Sequence, residues 1–301
     1  MTLACFLTTA CDVVHIRLTD VRGSSPRDAG AQMFVTPDGL HGTIGGGQLE
    51  YMAIDKARAM LRAGRVAEDM DVPLGPEIGQ CCGGHVAVTL RQMTDADRQV
   101  ACKAEVDDIA RRPHVYILGA GHVGRALARF FQFLPVHCVL IDARDDELSL
   151  CDANVATRLS AMPEADIRNA PSNSAFIVLT HDHALDFLLT SEALDRRDAA
   201  YVGLIGSATK RVKFTRFHAS NSVSKDAAAL TCPIGPTGST DKRPEVIAAF
   251  VVAEVMTCLT VPAVRQAIPT VAQNQFPQRS PEEGGVGQCK WEETRNVRYS
   301  L

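Results

Sequence analysis

One glycine-rich turn near the middle of the chain constrains the fold more than any other feature. In "VYILGAGHVGRALA", Gly119, Gly121 and Gly124 follow a short apolar run and precede a segment with apolar residues at helical spacing. A G-x-G-x-x-G turn between a strand and a helix is typical of dinucleotide-binding βαβ units. The first glycine allows a tight turn, the second lets a phosphate approach the backbone, and the third lets helix and strand pack closely. The spacing therefore predicts a Rossmann-like domain.

The segments that follow this turn extend the same pattern. The apolar runs "VHCVLIDAR", "AFIVLT" and "AYVGLI" alternate with segments of helical periodicity, which predicts a doubly wound parallel sheet. A helix that begins near His122 would offer free N–H groups to an anion. Asp142 ends the second strand, where an acidic side chain can accept a hydrogen bond from a ribose hydroxyl. The same turn fits NAD(P) and other phosphorylated cofactors.

The first hundred residues predict a smaller mixed α/β unit. "AQMFVT" and "LHGTI" flank a Pro-Asp-Gly turn signal and predict a hairpin, and the helix that follows should end at Gly64. A charged amphipathic helix is expected over 95–111. We expect an N-terminal α/β domain, a Rossmann-like domain and a loosely ordered tail, over 1–111, 112–260 and 261–301.

Two adjacent cysteines lie in a glycine-rich setting. "GPEIGQCCGGHV" places Cys81 and Cys82 directly before Gly83 and Gly84. Neighbouring cysteines rarely bond to each other, because the ring departs from relaxed disulfide geometry. Glycines let a backbone approach a bulky ligand or adopt positive φ. The stretch predicts a loop that presents sulfur to a ligand, and small buried thiols in a tight turn are the alternative.

Two more loops follow predicted strands of the Rossmann-like domain, at the edge of the sheet where ligands bind. In "THDHALD", His181 and His183 could ligate a metal or transfer a proton. The alternative is a polar strand-to-helix loop that Asp182 caps.

The second of these loops is "GSATKR". Ser207 is a good helix N-cap. Lys210 and Arg211 would then lie in the first helical turn, close to a bound anion, or else on a solvated helix face.

The first domain also contains two loops of small residues. "RGSSPR" at 22–27 and "GTIGGGQLE" at 42–50 resemble anion nests, in which backbone N–H groups converge on a charged group. Simple turns are the alternative. Together with the cysteine loop they favour a ligand cleft in this domain.

Composition excludes several classes of protein. The net charge of −4 and pI near 6.1 argue against a nucleic-acid or membrane-surface binder. No apolar run approaches the roughly 18 residues of a membrane span. Ten cysteines in 301 residues are too dilute for a disulfide scaffold, so we expect a cytoplasmic protein with reduced thiols. A homodimer is the common state for such a protein.

Seven stretches follow one another over roughly residues 10 to 258: "VRGSSPRDAGAQMFV", "GTIGGGQLE", "GQCCGG", "VYILGAGHVGRALA", "LTHDHALD", "GLIGSATKR" and "CPIG" followed by "RPEVIAAFVVAEV". In their order and spacing they resemble the XdhC/CoxI family of accessory proteins for xanthine dehydrogenase and related molybdenum hydroxylases.

The resemblance implies a cofactor chaperone without catalytic turnover of its own. Such a protein binds molybdenum cofactor, a pterin dithiolene with a phosphate, and shields it while a cysteine desulfurase supplies the terminal sulfur. It then delivers the cofactor to the molybdenum-binding subunit of apo xanthine dehydrogenase, and proteins of cofactor biosynthesis are further expected partners. Either cysteine of the pair could ligate molybdenum transiently or carry a persulfide. The expected cofactor-binding residues are Cys81, Cys82, Gly83, Gly84, Gly119, Gly121, His122, Gly124, Asp142, Ser207, Lys210 and Arg211.

Two other functions stay open on the residues alone. An NAD(P)-dependent oxidoreductase would use the glycine turn with Asp142, and His181 or His183 as acid or base. That function lacks an evident substrate domain and leaves the cysteine pair unexplained. A sulfur-carrier or metal-binding module would use the two histidines as zinc ligands.

Overall fold

The computed structural model of the protein describes residues 2–76, 79, 83–222, 227–235 and 241–260. It contains two β-sheets, an antiparallel one followed by a parallel one, and both belong to the unit Met1–Leu259. This confirms the predicted α/β fold class, a mixed N-terminal α/β part followed by a Rossmann-like sheet. The expected tail over 261–301 lies outside the described residues.

The first sheet has five antiparallel strands in the order β3-β2-β1-β5-β4. Its strands are β1 Val14–Arg22, β2 Gln32–Val35, β3 Leu40–Gly42, β4 Ala67–Pro73 and β5 His85–Gln92. The helices of this part are α1 Leu3–Thr9, α2 Gly47–Ala63 and α3 Asp95–Arg111. The predicted hairpin is confirmed, since β2 pairs with β3 from Met33↔Gly42 to Val35↔Leu40.

Alternation along β1 places one face of this sheet against α2. Val14, Ile16 and Leu18 are fully buried and pack with the buried residues of the helix, because successive strand residues point to opposite faces. The helix ends at Gly64, whose φ of +64° is left-handed, as the sequence predicts. Helix α3 begins and ends where expected, but none of its residues is buried, so its charged sequence produces a helix with little core contact.

The second sheet has six parallel strands in the order β11-β10-β9-β6-β7-β8. Its strands are β6 His114–Leu118, β7 His137–Asp142, β8 Ala156–Leu159, β9 Ala175–Val178, β10 Tyr201–Leu204 and β11 Leu230–Thr231. This is the Rossmann order, in which the chain reverses direction across the sheet between the first and fourth strands, here β6 and β9. Ligands of such sheets bind at the carboxyl ends of the strands beside this reversal.

Helices cover both faces of the parallel sheet, because its strands are apolar on both sides. Val115 and Ile117 of β6 face a core that includes α4 and α9, whereas Tyr116 and Leu118 face a core that includes α7 and α8. The helices are α4 His122–Phe131, α5 Asp145–Ser149, α6 Pro163–Arg168, α7 His183–Asp195, α8 Ala208–Asn221 and α9 Pro244–Thr260. Within the described ranges, none of the helices has the length and apolar character needed to cross a bilayer.

Candidate functional site

The glycine turn has the backbone geometry that its spacing predicts. Gly119 has φ +127°, and a Cβ there would overlap the carbonyl oxygen of Leu179. A Cβ on Gly124 would overlap the carbonyl oxygen of Gly119, whereas a Cβ on Gly121 would meet nothing within 4 Å. The fold therefore requires the first and third glycines, and the second leaves the backbone open to a ligand. Gly121 caps α4 without a side-chain bond, and exposed His122 begins the helix.

Asp142 lies beside this turn but already has partners within the protein. One carboxylate oxygen accepts from the backbone N–H of Ala120 at 2.7 Å, and both accept from the guanidinium of Arg144 at 3.0 Å. Burial raises the pKa of Asp142, but the hydrogen bonds from Arg144 and Ala120 outweigh it and lower the pKa overall. A ribose at this place would compete with Arg144. Sequence reasoning missed Arg144, although it stands only two residues after the strand-end acid.

The space directly beside the turn is small. The cavity bounded by Gly119, Asp142, Thr180, His181 and other residues of this edge has a volume of about 20 Å³. That volume holds about one water molecule. This enclosed space is therefore too small for a nucleotide.

The first turns of α7 and α8 are joined by a buried ion pair. Lys210 Nζ lies 2.5 Å from Asp186 Oδ2. The other carboxylate oxygen of Asp186 accepts from the backbone N–H and the hydroxyl of Thr180, each at 2.8 Å. The side chain of Asp186 is 1% exposed and that of Lys210 12%. The pair holds the start of α8 against the loop that precedes α7.

A larger cavity of about 500 Å³ lies between α7 and α8. Ser207 caps α8 by accepting from the N–H of Lys210 at 3.3 Å, which confirms its predicted N-cap role. Arg211 donates to the carbonyl oxygen of Cys232 at 3.0 Å and does not line the cavity. The lining residues are Thr180, His183, Phe187, Ile205, Gly206, Ser207, Thr209, Lys210 and Lys213.

His181 and His183, which lie just before α7 and at its first position, are both exposed. Asp182 accepts from the N–H groups of Ala184 and Leu185 at 2.7 and 3.4 Å and so caps α7. Within the described part of the chain, no group of three or more His, Cys, Asp or Glu residues could hold a metal ion.

The cysteine pair, Cys81 and Cys82, lies outside the described residues, but the residues that follow it are described. The N–H of Gly83 donates to the carbonyl oxygen of Leu74, and the N–H of Leu74 donates to the carbonyl oxygen of Gly84, both at 2.8 Å. A Cβ on Gly84 would overlap the carbonyl oxygen of Ser24. Leu74, Gly83 and Gly84 form the base of the cysteine segment, residues 77–82. This base therefore lies directly against loop 22–27.

Loop 42–47 packs against the same neighbour. A Cβ on Gly45 would lie 2.8 Å from Cβ of Pro26. Three loops of the first domain, 22–27, 42–47 and 83–84, thus form a chain of contacts in which loop 22–27 is central.

The converging N–H groups of loop 42–47 bind a carboxylate of the protein itself. Glu50 Oε2 accepts from the N–H groups of Ile44 and Gly46 at 3.0 Å and from the hydroxyl of Thr43 at 2.5 Å. Burial raises the pKa of Glu50, but these hydrogen bonds outweigh it and lower the pKa overall. The nest expected at 42–50 exists, and Glu50 is the anion that fills it. An acidic residue in the first turn of the following helix was the signal for this role.

Two protein-family models match the chain, the XdhC and CoxI family over residues 7–70 and the XdhC Rossmann domain over residues 115–255. A relative from Escherichia coli K12, the uncharacterized protein YqeB, is 28% identical over 265 residues. The alignment covers 82% of this chain and 43% of that protein, so the chain spans less than half the length of this relative. A crystal structure described as a xanthine dehydrogenase from Bacillus halodurans superposes with a TM-score of 0.72 at 18% identity, covering 91% of this chain and 98% of the other. This likeness shows a shared fold.

Proposed function

The chain belongs to the XdhC and CoxI family, and on this basis we propose that it acts in the maturation of xanthine dehydrogenase as a chaperone of molybdenum cofactor. It binds the cofactor, shields it while a cysteine desulfurase supplies the terminal sulfur, and delivers it to the molybdenum-binding subunit of the apo-enzyme. The protein performs no catalytic turnover in this role. In this proposal it works in the cytoplasm as a homodimer, and proteins of cofactor biosynthesis are further partners.

The contact between loop 22–27 and Gly84 carries the proposal, because it places a set of polar and glycine residues at the base of the cysteine segment. Gly23 lies so close to Gly84 that a Cβ there would be 3.2 Å from its Cα. Ser25 Oγ is buried and has no hydrogen-bond partner among the described residues. A buried polar group without a partner costs free energy, so the Ser25 hydroxyl is a candidate hydrogen-bond partner for a polar group of the cargo.

Sulfur chemistry gives the cysteine pair its role in this proposal. Thiolates are suitable ligands for molybdenum, and a thiolate can also carry sulfur as a persulfide. Delivery requires ligation that can be displaced, which one thiolate provides and a closed four-ligand site does not. Cys81 or Cys82 therefore holds the metal end of the cargo.

The phosphate end of the cargo is assigned to the turn Gly119–Gly124. The start of α4 has free N–H groups and no side-chain cap, and such a helix start favours phosphate. Gly121 leaves the approach to the backbone open.

Cofactor capture tests the proposal. Purified protein is mixed anaerobically with released molybdenum cofactor and desalted, and pterin and molybdenum are assayed in the protein fraction. Near-stoichiometric capture is expected for the wild type and a large loss for Cys81→Ala or Cys82→Ala. Cys5→Ala, which changes an exposed free cysteine of α1, serves as the matched control. Absence of capture, or equal capture by all four proteins, would contradict the proposal.

An NAD(P)-dependent oxidoreductase is the second candidate, and the intact geometry of the glycine turn favours it. The small adjacent cavity and the engagement of Asp142 by Arg144 weigh against it. Titration with NADH, followed by its fluorescence, distinguishes the two. Tight binding that Gly121→Ala weakens and that neither cysteine variant changes would favour the oxidoreductase.

A further inference from the structure

The cavity between α7 and α8 contains Ser207 and Lys210, two residues expected at a cofactor, but its described lining includes neither the glycine turn nor any residue next to the cysteine pair. It lies at the carboxyl ends of β9 and β10, on the side of the sheet reversal opposite to β7 and Asp142. Its volume of about 500 Å³ falls within the range of small-molecule sites, which is about 300 to 1,000 Å³. The cavity beside the glycine turn is many times smaller. Of these two cavities at this edge of the sheet, only the one between α7 and α8 has the volume of a small-molecule site.

One part of the cavity wall carries donors and positive charge. Ser207 and Thr209 contribute hydroxyls, and Lys213 contributes an ammonium group. No ion pair of Lys213 occurs among the described residues, whereas the charge of Lys210 is balanced by Asp186. Among the described residues that line the cavity there is no Asp or Glu. This wall is suited to an anion, and Lys213 supplies the uncompensated charge.

Another part of the cavity wall is apolar and consists of Phe187 and Ile205. Two neighbouring aromatic rings restrict the Phe187 ring: Phe214 lies edge-on with centroids 5.5 Å apart, and Phe217 is tilted at the same distance. A fixed aromatic ring beside an aliphatic side chain provides an apolar surface for a planar ring system. The ligand that matches the cavity therefore has an anionic end and a flat, largely apolar body.

We propose that this cavity binds a phosphorylated heterocycle, with its phosphate at Lys213, Ser207 and Thr209 and its ring against Phe187 and Ile205. Nucleoside 5′-monophosphates and the phosphorylated pterin of molybdenum cofactor share this chemistry. The site does not require the cysteine pair and is separate from the turn at Gly119–Gly124.

Calorimetric titration of the full chain tests the site. The probes are AMP, GMP and CMP, the matching nucleosides without phosphate, and the phosphorylated pterin released from oxidised molybdenum cofactor. At least one phosphorylated probe should bind, and removal of its phosphate should weaken binding about tenfold or more, as expected for the loss of a charge-assisted hydrogen bond.

Variants assign the binding to the cavity. Lys213→Ala and Thr209→Val should each weaken it, the lysine variant by about tenfold. Lys103→Ala, which changes an exposed lysine of α3, should leave it unchanged. Preference for a nucleotide or for the pterin identifies the natural source of the heterocycle. If no phosphorylated probe binds, or if both cavity variants bind as tightly as the wild type, the proposal is wrong. Cys81→Ala should retain this binding, so its result is independent of the capture experiment.

Discussion

Lys210 Nζ lies 2.5 Å from a carboxylate oxygen of Asp186, and this ion pair joins the first turn of α7 to the first turn of α8. Asp186 is almost fully buried, and Thr180 donates twice to its second oxygen. Desolvation makes the net contribution of a buried pair small, but removal of one partner leaves an uncompensated charge. The pair should therefore add little to the free energy of unfolding, whereas a substitution that removes one partner should lower that free energy strongly.

Lys210→Met should lower the free energy of unfolding by about 3–5 kcal/mol, the usual cost of breaking a buried ion pair. Urea denaturation followed by circular dichroism measures this. Arg129→Gln removes an ion pair with Asp152 in which both side chains are about half exposed or more, and it should have little effect because solvent screens such pairs. Equal effects of the two substitutions would contradict the interpretation.

Gly124→Ala should destabilise the protein, whereas Gly121→Ala should not. A Cβ at Gly124 would overlap the carbonyl oxygen of Gly119, but one at Gly121 would meet nothing within 4 Å. Overpacking of this kind costs about 1–3 kcal/mol. Thermal unfolding of the two variants in parallel provides the comparison.

Gly121→Ala then becomes a probe of ligand binding by a folded protein. If the turn receives a phosphate, the added methyl group obstructs its approach, and cofactor capture should fall while the melting temperature stays near that of the wild type. Unchanged capture would exclude the turn as the phosphate site.

Gly84→Ala should impair cofactor capture even though both cysteines remain. A Cβ at Gly84 would overlap the carbonyl oxygen of Ser24 and push apart the contact at the base of the cysteine segment. Gly75→Ala is the matched control on the other side of this segment, because a Cβ there would meet no atom of the described residues within 4 Å. The capture assay should rank Gly75→Ala near the wild type and Gly84→Ala well below it, and the reverse order would refute the role of this contact.

Stability at acid pH should depend on Glu50. Its pKa in the folded protein is lower than the ordinary value of 4.5, so its carboxylate stabilises the fold above that pH. This contribution is lost as the pH falls through the lower folded pKa. Glu50→Gln should reduce stability at pH 7 by about 1–2 kcal/mol, the contribution of hydrogen bonds to a charged group.

Urea midpoints measured from pH 7 down to about pH 3 should therefore fall less steeply for Glu50→Gln than for the wild type. Parallel curves for the two proteins would mean that the carboxylate contributes nothing at this position.

The sequence predicted the parallel sheet, the hairpin and the end of α2 because each depends on local periodicity or on a turn residue. The sequence did not predict that Arg144 would pair with Asp142 or that Lys210 would pair with Asp186, and the reasons differ. Lys210 follows Asp186 by a whole helix and strand, so their contact exists only because β9 and β10 are neighbours. Arg144 is local, but the sequence does not say which rotamer it adopts. The sequence indicates a nest at 42–50 but not its occupant, because Glu50 reaches the N–H groups of Ile44 and Gly46 only when the loop folds back on the first turn of α2.

The carboxylate of Glu50 accepts a hydrogen bond from the N–H of Gly46, only four residues earlier in the chain. Loop 42–47 therefore binds an anion of its own chain whenever the protein folds, and it needs no dissolved ion. The entropic cost of ordering this loop is therefore part of folding and not part of ligand binding. Surfaces that are rigid before encounter lose less freedom on binding. Loop 42–47 is thus ordered before any ligand meets the N-terminal sheet, and binding there would not have to bear the cost of ordering it.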